Sequence, residues 1–210
     1  MYAASSLTEV FEELDAAARF NFAGSDELAT QIREGGRADV YAAASPRYPD
    51  ELQEEGLVEE PRVFATNRLV LVVPRDNPAG IESVDDLNGV RLVVGAEGVP
   101  VGDYTRTVLE NMGASEVLES VVSNEDDVKG VVGKVASGEA DAGFAYVTDY
   151  NAARDELRAI ELPEEAQADV SYPIAVVADT ENREAAEAFV ELVLSDEGQQ
   201  ALANAGFGPP

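Results

Sequence analysis

Four short segments place small, hydroxyl-bearing or glycine residues at or just ahead of a predicted helix start: Ala4-Ser5-Ser6, Ala23-Gly24-Ser25, Val99-Pro100-Val101-Gly102 and Val122-Ser123-Asn124. A helix start leaves backbone N–H groups with no intrahelical partner at the positive end of the macrodipole. It can therefore hold an oxyanion without a basic side chain, and serine hydroxyls add donors. Taken singly, Ser6 and Ser25 read as ordinary N-caps, and Ser6 with Glu9 three residues on has the capping-box pattern. Other chemistries find few tools. With no histidine and no cysteine, thiolate nucleophiles, disulfides, Ser-His-Asp machinery and imidazole- or sulfur-bound metals are excluded. The adjacent carboxylates Asp126-Asp127 and Glu12-Glu13 could serve as acid and base on an enzyme, but neighbours on a helix do not face each other. Asp50-Glu51 with Glu54-Glu55 lacks the Asp-x-Asp-x-Asp-Gly spacing of a calcium loop, so loose screening by counterions fits better.

The elements that must position these segments follow from periodicity. Leu7, Val10, Phe11, Leu14, Ala17 and Ala18 recur at helical spacing after Ser6. Arg19 to Ala23 alternates like a strand. Ser25 opens a second helix that Gly35-Gly36 closes. Ala38 to Ala44 reads as a buried strand, Pro49 to Glu55 as a short acidic helix, and Asn67 to Pro74 as an apolar strand. Turn residues Asp76 to Gly80 then precede a second series. It comprises a short helix at Val84–Leu87, strand Arg91–Gly95, helix Asp103–Met112, the stretch Glu116–Val122, helix Asp126–Ala136 and strand Ala142–Val147. A last apolar strand, Tyr172–Ala178, is followed by helices Arg183–Leu194 and Asp196–Ala203. Alternation of this kind predicts an α/β protein of mostly parallel sheets flanked by helices, with ligands at the carboxyl ends of strands. The expected division is residues 1–78 plus 172–210 in lobe 1 and 79–171 in lobe 2. The strands around Leu71 and Val176 are the natural crossings.

Charge narrows the partners. Across 210 residues, 14 Lys+Arg face 42 Asp+Glu, a formal net charge of −28. Such a chain is repelled by phosphate backbones and anionic headgroups, which argues against a nucleic-acid partner. Only two basic residues are lysines, Lys129 and Lys134, and acids crowd the predicted turns. Halophilic adaptation and a plain solvated acidic surface account for this equally well. No apolar run approaches the roughly 20 residues needed to span a bilayer. Met1 leads at once into Tyr2-Ala3-Ala4, which reads as mid-strand, so a natural N-terminal segment is expected to have preceded it.

The segments agree in order with a known family. Ala3-Ala4-Ser5-Ser6-Leu7-Thr8-Glu9-Val10, Phe22-Ala23-Gly24-Ser25-Asp26-Glu27-Leu28-Ala29-Thr30-Gln31-Ile32, Ala38-Asp39-Val40-Tyr41 and Asn67 to Pro74 carry the first half. Val99-Pro100-Val101-Gly102, Asp127-Val128, Ser137 to Tyr146, Tyr172-Pro173-Ile174-Ala175-Val176 and Gly206-Phe207 carry the second. Over nearly its whole length the chain resembles the molybdate-binding proteins of ABC transporters, which are type II periplasmic-type solute-binding proteins. The resemblance implies a two-lobed fold with the ligand cleft between lobes, no catalysis and no cofactor. It also implies a molybdate or tungstate ligand, an ABC transporter permease as partner, a monomer, and an extracytoplasmic location, with a lipid anchor as one option for the missing N-terminus. Carried over by motif, the oxyanion contacts fall on the hydroxyls of Ser6 and Ser25, the amides of Val101 and Val128, and the hydroxyl of Tyr146, with no protein atom bonded directly to the metal. The sequence departs from the family pattern at Ser5 and Val101, where alanine is usual; an extra hydroxyl and a bulkier wall bear on anion size. Its first strand is also shorter, which predicts a cost in stability. Another oxyanion such as sulfate on the same scaffold is the alternative. Because Asp26, Glu27, Asp103, Asp126 and Asp127 flank the helix starts, screening by added salt is expected to strengthen anion capture.

Overall fold

A computed structural model describes residues 1–210. The chain forms two compact units, residues 1–67 with 170–210 and residues 68–169. The first unit holds β1 (Tyr2–Ala4), α1 (Thr8–Leu14), β2 (Asn21–Ala23), α2 (Ser25–Arg33), β3 (Val40–Ala42), α3 (Arg47–Glu54) and β4 (Arg62–Asn67). The second holds β5 (Leu69–Pro74), β6 (Leu92–Gly95), α4 (Pro100–Asn111), β7 (Val121–Glu125), α5 (Val128–Ala136), β8 (Ala142–Tyr146), α6 (Val147–Ala152) and β9 (Leu157–Glu161). The chain then completes the first unit with β10 (Val170–Val176), α7 (Arg183–Leu194) and α8 (Asp196–Ala205).

Each unit is built on one five-stranded sheet, ordered β2-β1-β3-β10-β4 in the first and β7-β6-β8-β5-β9 in the second. In the first, β1 pairs in parallel with β2 and β3, while β10 runs antiparallel to both β3 and β4. In the second, β6 pairs in parallel with β7 and β8, while β5 runs antiparallel to β8 and β9. Four strands of each sheet thus share a direction and one opposes them, which is the mostly parallel, helix-flanked α/β architecture expected from the alternation. The opposed strands, β5 and β10, contain the Leu71 and Val176 segments.

Strand β5 corrects the expected boundary. All six of its residues are buried, as suits a strand flanked on both sides and covered on both faces. Such a run looks alike in either sheet. Its hydrogen-bonded partners are β8 and β9, so the chain leaves the first unit after Asn67 rather than after Pro78, and returns at Val170 rather than Tyr172.

Helices are set by their apolar stripes. Leu28, Ala29 and Ile32 of α2, Val128, Val131 and Val135 of α5, and Ala186, Phe189, Val190 and Val193 of α7 are buried at helical spacing. The two cores differ in material. In the first unit Phe11 touches Phe20, Phe64 and Phe189, and Tyr172 meets Phe64 and Phe207 edge-on. The second is filled chiefly by aliphatic side chains, among them Leu71, Val93, Leu109 and Val131, with Phe144 and Tyr146.

Several expectations shift. The helix expected just after Ser6 is preceded by a 3-10 turn at Ser5–Leu7, and α1 ends at Leu14. Val84–Leu87 is 3-10 rather than α-helical. Helix α4 starts at Pro100, not Asp103, because proline at the first position supplies the right φ and lacks only an N–H that would be unbonded anyway. The Val122-Ser123-Asn124 segment is not a turn: it lies inside β7, where Ser123 and Asn124 pair with Val93 and Val94 of β6 and the register shifts at Val122.

Candidate functional site

In the first unit the two serines stand side by side. Strands β1 and β2 end on the paired residues Ala4 and Ala23, and Ser6 and Ser25 each follow two residues later at the carboxyl edge. Both are buried, at 5% and 1% exposure. Neither is an N-cap. Helix α1 is preceded by Leu7 and α2 by Gly24, with no side-chain cap bond in either case.

The serine hydroxyls are engaged elsewhere. Ser6 Oγ lies 3.0 Å from Tyr172 Oη, 166 residues away in sequence, and the 3-10 turn carrying it is tied by Thr8 Oγ1 donating to Ser5 O at 2.7 Å. Ser25 Oγ accepts the Ala44 N–H at 3.0 Å, and Ser25 O accepts the Tyr41 hydroxyl at 2.7 Å. Burial pushes the Tyr41 phenol well above its ordinary pKa, so it stays a donor. The carboxyl ends of β2 and β3, which flank β1 in the sheet, are thereby joined through Ser25. In α2 the first internal bond runs from Leu28 N–H to Gly24 O, so the opening amides, Ser25's included, point out of the helix.

The second unit offers amides. Val101 and Gly102 precede the first internal bond of α4, Asp103 N–H to Val99 O at 2.9 Å. Val101, expected just before the helix, is in its first turn. The packing here requires glycine: a Cβ on Gly102 would lie 2.2 Å from Ala96 O and 2.3 Å from Gly95 O, and one on Gly95 would lie 2.6 Å from Gly102 N. Arg106 closes this junction, donating to Gly95 O at 3.1 Å and to Gly102 O at 2.8 Å. It acts on backbone carbonyls at the base of α4.

Val128 is the first residue of α5, capped by Asp127, whose carboxylate accepts the Gly130 N–H at 2.8 Å. Tyr146 is the last residue of β8, 1% exposed, paired with Leu69. Because β7, β6 and β8 are adjacent and parallel, Val101, Val128 and Tyr146 share one carboxyl edge.

The remaining candidates resolve into structure. Ser123 bonds Glu125 Oε1 at 2.6 Å and Lys134 Nζ at 2.6 Å, and Lys134 reaches the same carboxylate oxygen at 2.7 Å. Burial alone would raise the Glu125 carboxyl, yet the Lys134 and Ser123 bonds outweigh it and hold the group below its usual range. Glu12 and Glu13 are exposed on α1. Glu51 and Glu55 are paired with Arg33, and Glu51 also with Arg47. No group of three or more acidic side chains is placed to hold a metal ion.

Sequence reasoning gave no role to Tyr172, Ala44 or Arg106. The Tyr172-Pro173-Ile174 block was visible, but its link to Ser6 depends on sheet register; the Gly95–Gly102 approach had no local signal.

The chain belongs to the bacterial extracellular solute-binding protein family, whose model it matches over residues 1–208. It is similar to the molybdate-binding protein ModA of Mycobacterium tuberculosis, at 36% identity over 214 residues that cover 98% of this chain and 81% of that one. Among solved structures, the periplasmic molybdate-binding protein of Azotobacter vinelandii matches with a TM-score of 0.87 at 20% identity, covering 100% of this chain and 98% of that one. The sulfate-binding protein SubI of M. tuberculosis matches with a TM-score of 0.82 at 16% identity, covering 99% of this chain and 85% of that one. These two likenesses establish the two-lobed fold. The relatives are named as binding proteins rather than enzymes.

Proposed function

We propose that this chain captures molybdate or tungstate outside the cytoplasm, as a monomer, and delivers it to an ABC transporter permease. The Ser6 and Ser25 hydroxyls of the first unit and the Val101 and Val128 amides and Tyr146 hydroxyl of the second are the assigned contacts. The observation that carries the reading is the pair of buried serines at adjacent strand ends, both engaged by tertiary hydrogen bonds where plain N-capping would need neither. The similarity to named molybdate-binding proteins supplies the anion. A site of neutral N–H and O–H donors selects geometry and protonation state, whereas a lysine or arginine would attract anions generally. Size then separates molybdate from sulfate.

Calorimetric titration with molybdate, tungstate, sulfate and phosphate in high salt tests the assignment. Molybdate and tungstate should bind tightly and sulfate weakly; equal or stronger sulfate binding overturns the choice. Repeating the molybdate titration from low to high ionic strength should show affinity rising as the acidic residues flanking the helix starts are screened. Constant or falling affinity refutes that coupling.

A further inference from the structure

We propose that Arg106 supplies the positive charge for anion capture, as a positioning residue that acts through the first turn of α4. This rests on the reading of the Val101 amide as an anion contact. Among the 14 basic side chains, Arg106 and Lys134 are half-buried and Arg33 is 31% exposed. Lys134 is met by Glu125, and Arg33 by Glu51 and Glu55. Arg106 is met by no carboxylate, in a chain that has 42 acidic residues. It donates through Nη1 to two backbone carbonyls, Gly102 O at 2.8 Å and Gly95 O at 3.1 Å. Asp103, one turn earlier on the helix, directs a carboxylate oxygen to the Gly98 N–H at 2.8 Å, and Glu110, one turn later, is exposed.

This placement is unfavourable in two ways while no anion is bound. Partial burial takes water from the guanidinium and puts no opposite charge in its place. The side chain also reaches back along the helix to a first-turn carbonyl, the end at which the macrodipole is positive and a cation is disfavoured. An anion held by the opening amides of α4 relieves both, because it brings the missing charge to the end of the helix that favours it. The need for a local cation follows from the rest of the chain: at a formal charge of −28 the overall field repels a dianion. Arg106 offsets that field at one turn of one helix. Because its bonds go to carbonyls, the choice of ligand shape stays with the neutral donors, and Arg106 adds an attraction that grows with ligand charge.

The test is calorimetric titration of the full chain with molybdate in low and in high salt, with thermal melts of the ligand-free protein alongside. Arg106→Gln keeps an amide donor for one carbonyl and removes the charge. In low salt it should weaken molybdate binding about tenfold relative to wild type, and that ratio should narrow as salt screens the charge. A role confined to holding the backbone would give a ratio that salt does not move. Arg106→Lys, which restores the charge without the planar fork, should bind within about threefold of wild type. Arg91→Gln is the control for net charge: Arg91 belongs to the same unit, is exposed just before β6 and is paired with Asp141, and its loss should change affinity less than about twofold. An Arg106→Gln protein within twofold of wild type, a loss independent of salt, or an equal loss in Arg91→Gln overturns the charge role. If Arg106→Gln does not fold, Arg106→Lys decides: a loss of tenfold or more with an unchanged melt overturns it as well. No molybdate binding by the wild-type chain, or none lost in Ser25→Ala and Tyr146→Phe, instead overturns the site assignment beneath it.

Discussion

The two units repeat one topology and differ in what they place at the carboxyl edge. The order second, first, third, reversed, fourth strand holds in both sheets. In the first unit the proposed donors are side chains, Ser6 and Ser25, held by bonds to Tyr172, Tyr41 and Ala44. In the second the proposed donors are mostly backbone amides, with the first turn of α4 fixed by the contact of Gly95 with Gly102 and by Arg106. Side-chain donors can be deleted by one substitution. Amide donors cannot, and must be attacked through whatever holds the backbone.

The largest expected effect follows from that asymmetry. In Gly102→Ala the new methyl would meet the carbonyl oxygens of Ala96 and Gly95 at 2.2 and 2.3 Å, so the first turn of α4 must move. Gly198→Ala in the first unit makes an equivalent collision, 2.2 Å from Leu192 O, at the start of α8 and away from the serines. Both should cost about 3 kcal/mol in denaturant unfolding. Only Gly102→Ala should also abolish molybdate binding in protein that remains folded; equal affinity losses in the two would show that α4 has no special role.

Next come the proposed contacts themselves. Ser25→Ala and Tyr146→Phe should each weaken molybdate binding by about 1 to 3 kcal/mol, the cost of leaving a charged acceptor short of a donor. Ser25→Ala should lower stability as well, because it orphans the Ala44 N–H. Val128→Ala should do the reverse: affinity within about twofold, with about 1 to 2 kcal/mol lost from unfolding for the deleted methyl groups. Calorimetry and melts on the three variants check the pattern. A large affinity loss in Val128→Ala would mean that its side chain, not its amide, meets the ligand.

How much of this could be read in advance follows a physical line. The helices of α2, α5 and α7 were legible because their apolar residues recur within a few positions, and the serines were legible as features because hydroxyl and glycine residues cluster before helices. What those serines bond was not. Ser6 looked like a capping residue beside Glu9, yet its partner is 166 residues away, and no local pattern encodes that. Strands β4 and β9 went unassigned because an edge strand is half exposed and is defined by its ladder to β10 or β5. Val122 shows the same limit, a 61% exposed residue that reads as a turn until its neighbours Val121 and Ser123 are seen to pair with β6. The expected boundary at residue 78 failed because a continuous apolar run carries no mark of which sheet it joins.

The smallest effect separates how each unit holds a carboxylate. In the first, the Thr180 hydroxyl at 2.6 Å and the Asn182 amide at 3.1 Å hold Asp39 below the usual carboxylate range. In the second, Glu125 is held down by the Lys134 ammonium and Ser123 against the raising effect of burial. Both folded-state pKa values are depressed, so both groups contribute stability that is present above the unfolded values, about 4, and is lost as pH falls through the folded ones. Asp39→Asn and Glu125→Gln should each cost about 1 kcal/mol at pH 7, with the cost disappearing in acid. Salt distinguishes them. The Lys134 pair is partly exposed and is screened, so the cost of Glu125→Gln should shrink in molar salt, whereas Asp39 is held chiefly by neutral donors, with the Met1 ammonium the smallest cause, and most of the cost of Asp39→Asn should persist. Unfolding curves at two pH values and two salt concentrations measure both. Equal salt sensitivity would mean that the Lys134 charge adds nothing beyond its hydrogen bonds, and the contrast between the units would then rest on their proposed donors alone.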